Sequence, residues 1–330
     1  MANDVTPLHQ AKVMYPLFAI IGNLAPIVSG RVMTYIVSKQ GSSDDVGFQS
    51  TLQRLATVKI AAGLGIIMLY RLVYKISDRK ESQTISSSQT ESSPPKKEKL
   101  TLSESIKELF KSRELKAMAT MVFCYNICIE LTEVLWKGIL KKTYTNKTEY
   151  MAFMAKFSQT VGIIALFLQL IASTIITKFG WLWAASLTPI AMVCLAIPFF
   201  LSVLLSDSLS NSVTLTAALS MGTWLTIISK VTKYSLFDPC KEMAYIPLGP
   251  DAKTKGKAAV DVLGARMGRS MGSATQQILV SYIGSGSILS CAPMLLIVYI
   301  TTVFYWLSSV RILGSSFTHH FQKDSRNEEY

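Results

Sequence analysis

Eight stretches of this chain are mostly apolar over about the 20 residues that a helix needs to cross the hydrocarbon core of a membrane. No other feature constrains the fold as strongly. They run Val13 to Val37, Leu55 to Ile76, Leu115 to Trp136, Ala152 to Thr177, Trp181 to Leu205, Val213 to Leu236, Ala258 to Ile283 and Ile288 to Ile312. The fifth and eighth are nearly uninterrupted, whereas the first, second and seventh carry charges. Backbone groups inside a bilayer must be satisfied within the segment, which makes such stretches helices. The expected fold is therefore all-α and polytopic, with about eight transmembrane helices. A hydrophobic share of 50% would suit a soluble protein, but only 16% of residues are charged and the apolar ones are clumped. Residues before Val13 are polar and no small-residue cleavage site follows them, so no secretory signal is evident.

Orientation follows from Lys and Arg in the short flanks. From Arg71 to Lys116 there are eleven basic residues against seven acidic ones, which places that polar run in the cytoplasm. Eight crossings then leave both termini inside. The loop 206–212 carries no base and falls outside, while the one with Lys241, Lys253, Lys255 and Lys257 falls inside. Lys137, Lys141, Lys142 and Lys147 disagree, because they land outside. The implied domains are 1–76 with two helices, a cytoplasmic linker 77–114, a six-helix part 115–312 and a cytoplasmic tail 313–330. Rich in Ser, Lys and Glu, the first half of the linker is expected to be disordered. Its second half, TLSESIKELFKS, has capping-box spacing at Thr101 and Glu104 and an apolar edge of Ile106, Leu109 and Phe110, and reads as an amphipathic surface helix. Two helices, a linker and six more resemble a major-facilitator-like plan of two six-helix halves, with only the end of the first half present.

Charges inside the spans locate the chemistry. Arg31 and Arg71 lie near helix ends and can snorkel, and Lys59 is nearly as shallow. In the third segment Asn126, Glu130, Glu133, Lys137 and Lys141 follow one another at spacings of 4, 3, 4 and 4, which keeps them on one side of a helix. An ionised group at the bilayer centre costs roughly 2.5 to 3.5 kcal/mol, so the stripe points to a water-filled cavity or a partner. A Glu133 to Lys137 pair that merely stabilises the helix is the plain alternative, but it leaves Glu130 and Asn126 unexplained. The sixth segment leads from Thr223 and Thr226 to Lys230 and Lys233 along one face. In the seventh, Gly264, Gly268 and Gly272 form a ladder that lets helices approach closely. Arg266 and Arg269 flank it, and guanidinium suits bidentate capture of phosphate oxygens.

Between these two helices lies FDPCKEMAYIPLGPDAKTKGKAAVD, from Phe237 to Asp261, with Pro239, Pro247 and Pro250 expected to stop the sixth helix. It is not a phosphate loop, because six residues separate Gly249 from Gly256 and Ala258 stands where Ser or Thr is needed. His9, His319 and His320 are terminal, no CxxC occurs, and no catalytic constellation appears, so an enzyme is not expected.

KYSLFDPCKEMAYIPL followed by KTKGKAAVDVLGARMGRSMGS, together with IELTEVLWKGILK and QAKVMYPLF, resembles the ADP,ATP carrier family of plastids and obligate intracellular bacteria, over essentially the whole chain. That resemblance implies a bundle of about twelve helices that exchanges ATP for ADP, or imports nucleotides with protons, and needs no metal or prosthetic group. It implies nucleotides as cargo and membrane lipid as surroundings, with no nucleic acid. By resemblance, Glu133, Lys137, Lys241, Glu242, Lys255, Lys257 and Asp261 belong to the functional set, beside Asn126, Glu130, Lys230, Arg266 and Arg269 from spacing. The discordant lysines fit a positive outer vestibule. Family members usually carry an acidic residue at the position of Gln10 and Thr at that of Leu135, which bears on exchange mode and substrate. They also carry four more helices ahead of residue 1. The chain is thus expected to be a fragment, one completed by a separately encoded N-terminal segment, or a remnant that no longer transports. The expected mechanism clamps the polyphosphate with some of Lys137, Lys230, Lys257 and Arg269, with Glu130 and Glu133 holding those cations in the empty state.

Overall fold

The computed structural model describes residues 8–39, 45–85, 112–209, 212–245, 256–283 and 288–327. Almost all of these are helical and none lies in a strand. The helices are α1 (Leu8–Ser38), α2 (Asp45–Ile85), α3 (Arg113–Thr143), α4 (Lys147–Phe179), α5 (Trp181–Leu209), α6 (Ser212–Thr232), α7 (Asp238–Ala244), α8 (Ala265–Ile283) and α9 (Ala292–Asn327). Two π-helical turns, Lys233–Phe237 and Val260–Gly264, lead into α7 and α8. Each of the eight expected segments falls on these helical stretches. Five spans are long and apolar enough to cross a membrane: Gly47–Ile76, Arg113–Thr143, Lys147–Phe179, Trp181–Leu205 and Leu289–Ser315. Helix α8 is not among them, since Arg266, Arg269, Gln276 and Gln277 dilute its apolar residues.

Pro239 does not stop the sixth helix, as expected from sequence. The helical path continues through the π turn, where the Asp238 N–H reaches back to the Lys233 carbonyl, and on to Ala244. Proline is tolerated there because it sits in the first turn of α7, and the wider register just before it relieves the ring. Pro247, Pro250 and Lys255 lie outside the described residues, as does the expected surface helix, apart from its last residue. That residue, Ser112, caps α3: its Oγ accepts the Leu115 N–H at 3.2 Å and donates to Glu114 at 2.7 Å.

The chain forms two compact units. One comprises 1–99 and 146–159, and in it α1 meets the start of α4 at Gly30, where a Cβ would stand 2.8 Å from the Ala155 carbonyl. Gln159 donates to Thr34 at 2.8 Å and Ser158 to the Pro26 carbonyl at 3.2 Å across the same contact. Over Gly47–Ile76 the hydrophobic face of α2 is largely exposed within the unit, which suits a helix surrounded by lipid.

The other unit, 100–145 and 160–330, is built around α3. Leu115, Met118, Met121, Leu131, Leu135, Trp136 and Ile139 of that helix are fully buried, because α6, α8 and α9 all pack on it. Tyr125 stacks on Phe237 of the first π turn at 5.2 Å, and both meet the Trp306 ring of α9 edge-on. Gly222 lets α6 close on Trp136 and Phe199, and the Trp136 indole N–H then donates to Thr223 Oγ at 3.0 Å.

Candidate functional site

The glycine ladder explains how the polar stripe of α3 is held. A Cβ on Gly268 would lie 2.6 Å from the Phe123 carbonyl and 2.8 Å from Asn126 Cβ, and one on Gly272 would lie 2.8 Å from Glu130 Cβ. Gly264, at the end of the π turn, faces Val122 in the same register. Only backbone-deep contact of this kind puts the polar groups of α8 on those of α3. Arg269 Nε donates to Asn126 Oδ1 at 3.3 Å, while the Asn126 amide donates back to the Val122 carbonyl at 2.8 Å. One turn further, Ser273 donates to Glu130 Oε1 at 3.2 Å and Gln276 to the Glu130 carbonyl at 3.0 Å.

On the other side of the stripe α6 supplies Lys230. Its ammonium stands 3.4 Å from Glu133 Oε1, and Lys137 approaches the same oxygen to 3.2 Å. One carboxylate therefore holds two ammonium groups, one from its own helix and one from a neighbour. Glu133 and Lys230 are only about a quarter exposed, at 23% and 26% of their side chains, so their attraction is screened less than at a free surface. Lys137, Lys230 and Arg269 face Glu130 and Glu133, and three cations against two carboxylates leave a positive surplus on α3. Seven residues separate Asn126 from Glu133, so this group extends about 10 Å along the helix.

A second group surrounds α7. Lys233 pairs with Asp238 at 2.8 Å across the π turn, and its ammonium also lies 4.9 Å from the Tyr234 ring centre. Lys241 binds Asp261 at 2.7 Å, with Glu242 at 3.8 Å, and Lys257 hydrogen-bonds Glu242 while lying over the Tyr245 ring. Here three cations meet three carboxylates, so the charge is balanced. The Trp181 indole anchors α7 to α5 by donating to the Cys240 carbonyl at 2.9 Å.

Burial works against the Lys241 ammonium, but its hydrogen bond to Asp261 and the charges of Asp261, Asp238 and Glu242 outweigh it and hold the group above the ordinary lysine value. Such a raised pKa contributes stability that is complete below the unfolded value and lost only as pH rises through the folded one. Lys241→Met should therefore lower the apparent melting temperature by an amount corresponding to about 1–3 kcal/mol, less than a fully buried pair because the Asp261 side chain is 36% exposed. The deficit against wild type should stay level between about pH 6 and pH 9. A deficit that shrinks on acidification within that range would show that Lys241 is not held this way.

Spacing along one helix picked out Asn126, Glu130, Glu133, Lys137, Lys230 and Arg269, and the structure brings them into one group. Lys241, Glu242, Lys257 and Asp261 gather instead in the second group. Arg266 is exposed on α8. Ser273, Gln276 and Asp238 were not anticipated. Ser273 falls one turn after Arg269 and Asp238 five residues after Lys233, signals that become legible only once the partner helix and the π turn are known.

The family model for the TLC ATP/ADP transporter matches residues 1–317. ADP,ATP carrier protein 1, chloroplastic, of Arabidopsis thaliana is 35% identical over 325 residues, covering 96% of this chain and 50% of that protein. ADP,ATP carrier protein 1 of Chlamydia muridarum (strain MoPn / Nigg) is 35% identical over 328 residues, with 96% and 61% covered. ADP,ATP carrier protein 3 of Rickettsia bellii (strain RML369-C) is 30% identical over 334 residues, with 96% and 66% covered. The chain thus spans about half the length of its plant relatives and less than two thirds of the bacterial ones. No solved structure matches it. A helical chain with five membrane-length apolar helices, matched along nearly its whole length in this way, belongs to the TLC ATP/ADP transporter family.

Proposed function

We propose that this chain takes part in moving adenine nucleotides across a membrane, ATP in exchange for ADP, with the polyphosphate held at the α3 group. The observation that carries this reading is the positive surplus of Lys137, Lys230 and Arg269 around two carboxylates on a membrane-length helix. Such charges are stable at membrane depth only against a partner or a polar cavity. A triphosphate supplies the missing negative charge and exchanges its hydration shell for three charge-assisted contacts. Glu133 keeps both lysines placed while the site is empty and yields them to phosphate, so loading and unloading swap one anion for another. In the frame that accompanies this reading, the chain crosses the membrane eight times with both termini in the cytoplasm, and the balanced group around α7 closes the cytoplasmic side. Nothing in it calls for catalytic chemistry on the nucleotide.

The test is uptake of labelled ATP by proteoliposomes that contain the full chain and are preloaded with ADP. Uptake that depends on internal ADP, with a KM raised roughly ten-fold or more by Lys230→Gln or Arg269→Gln, is expected, since a charge-assisted hydrogen bond is worth about 1.5–3 kcal/mol. Uptake driven by a proton gradient without internal ADP would replace exchange by symport. Uptake indifferent to both substitutions would remove the α3 group from the pathway.

A further inference from the structure

Helix α8 carries three stripes. Gly268, Gly272 and Gln276 are buried against α3, whereas Met267, Met271, Ile278 and Tyr282 are 50–83% exposed and apolar, as a lipid-facing stripe would be. Between them runs a polar strip: Arg266, Arg269, Ser270, Ser273, Gln277 and Ser281. Along it the chemistry changes. Cations stand at the π-turn end, hydroxyls follow, and the far end offers a carboxamide and a serine.

That far end opens on a cavity of about 350 Å³, lined among the described residues by Gln276, Gln277, Val280, Ser281 and Ile288. Its volume is within the range of small-molecule sites. None of these lining residues is charged, so it is ill suited to phosphate. Val280 and Ile288 give it apolar walls, and three polar side chains give it donors and acceptors. The Gln276 amide is already committed, since its N–H donates to the Glu130 carbonyl at 3.0 Å. Gln277 lies eight residues beyond Arg269, about 12 Å along the axis, so the two contact different parts of an extended ligand.

Resting on the nucleotide reading above, we infer that Gln277, with Ser281, Val280 and Ile288, forms the nucleobase end of the site and selects adenine. A glutamine carboxamide can accept from adenine N6 and donate to N7 at once, whereas guanine presents two acceptors on the same edge and satisfies only one half of the amide. The apolar walls take the faces of the ring, and the phosphates point away from this cavity toward the cations of the α3 group.

Equilibrium binding of ATP, GTP and inorganic triphosphate to the purified full chain in nanodiscs tests this, with Gln277→Ala and Arg269→Gln beside wild type. Wild type should prefer ATP to GTP. Gln277→Ala should narrow that preference by roughly ten-fold, within the span of a bidentate amide–adenine pair, and leave triphosphate binding unchanged, which also reports that the variant is folded. Arg269→Gln should weaken all three ligands together. An ATP to GTP ratio unchanged by Gln277→Ala, or no preference in wild type, overturns the nucleobase assignment and leaves the nucleotide reading standing. Absence of ATP binding by wild type overturns both.

Discussion

Glu133→Gln is expected to slow ATP/ADP exchange at saturating nucleotide by roughly ten-fold or more while leaving the KM for ATP unraised. The carboxylate is shared by Lys137 and Lys230 at 3.2 and 3.4 Å, and removing its charge leaves two ammonium groups facing each other in a site that is three-quarters buried at Glu133. While nucleotide is bound, phosphate covers both lysines, so affinity is preserved or improved. The cost falls on the unloaded state, where no anion takes over from the departing phosphate. Breaking a buried pair from one side costs about 3–5 kcal/mol, and partial exposure of all three side chains reduces that to the one or two that a ten-fold change requires. Initial rates of proteoliposome exchange across a range of ATP concentrations separate the two parameters. A raised KM with an unchanged limiting rate would mean that Glu133 touches the nucleotide instead of replacing it.

The second large effect is structural. Gly268→Ala should cost about 1–3 kcal/mol, the range for overpacking a tight contact, because its new Cβ would meet the Phe123 carbonyl at 2.6 Å and Asn126 Cβ at 2.8 Å. Backbone cannot step aside as a flexible side chain does, and Gly268→Val should prevent α8 from seating on α3 at all. Gly65 is the control, since nothing lies within 4 Å of a Cβ there and alanine should be neutral or slightly stabilising. The readout is the monodisperse fraction and apparent melting temperature after detergent extraction. Equal behaviour of Gly268→Ala and Gly65→Ala would contradict the seam. A seated but shifted α8 would separate Arg269 from Asn126 and Ser273 from Glu130, so nucleotide binding should fall with stability.

What the sequence made legible was everything that repeats along a single helix. Apolar runs of membrane length placed the helical segments, a 4-3-4-4 spacing put Asn126, Glu130, Glu133 and Lys137 on one face, and a four-residue glycine repeat announced a close helix contact. Pairings between helices were not legible. Nothing in α6 alone says that Lys230 finds Glu133, ninety-seven residues away, or that Gln276 reaches the Glu130 carbonyl. The π turns were hidden for another reason. Each inserts one residue into an otherwise regular helix, a change that leaves composition and apolar patterning intact, so Pro239 looked like a terminus when the wider register before it carries the helix on to Ala244. The same blindness merged two groups of charges into one. Lys257 and Lys241 share a basic stretch with residues of the α3 group in composition, but their carboxylates, Glu242 and Asp261, come from the turns beside them.

The central claim is that surplus positive charge on α3 holds the polyphosphate, and titration of the purified full chain in nanodiscs with ATP, ADP and AMP tests it most directly. The account predicts that ATP and ADP bind roughly ten-fold or more tightly than AMP, and that Lys230→Gln combined with Arg269→Gln abolishes this dependence on phosphate number, since each lost charge-assisted contact removes about 1.5–3 kcal/mol. Equal affinity for AMP and ATP in wild type, or a dependence on phosphate number that survives the double substitution, would contradict it.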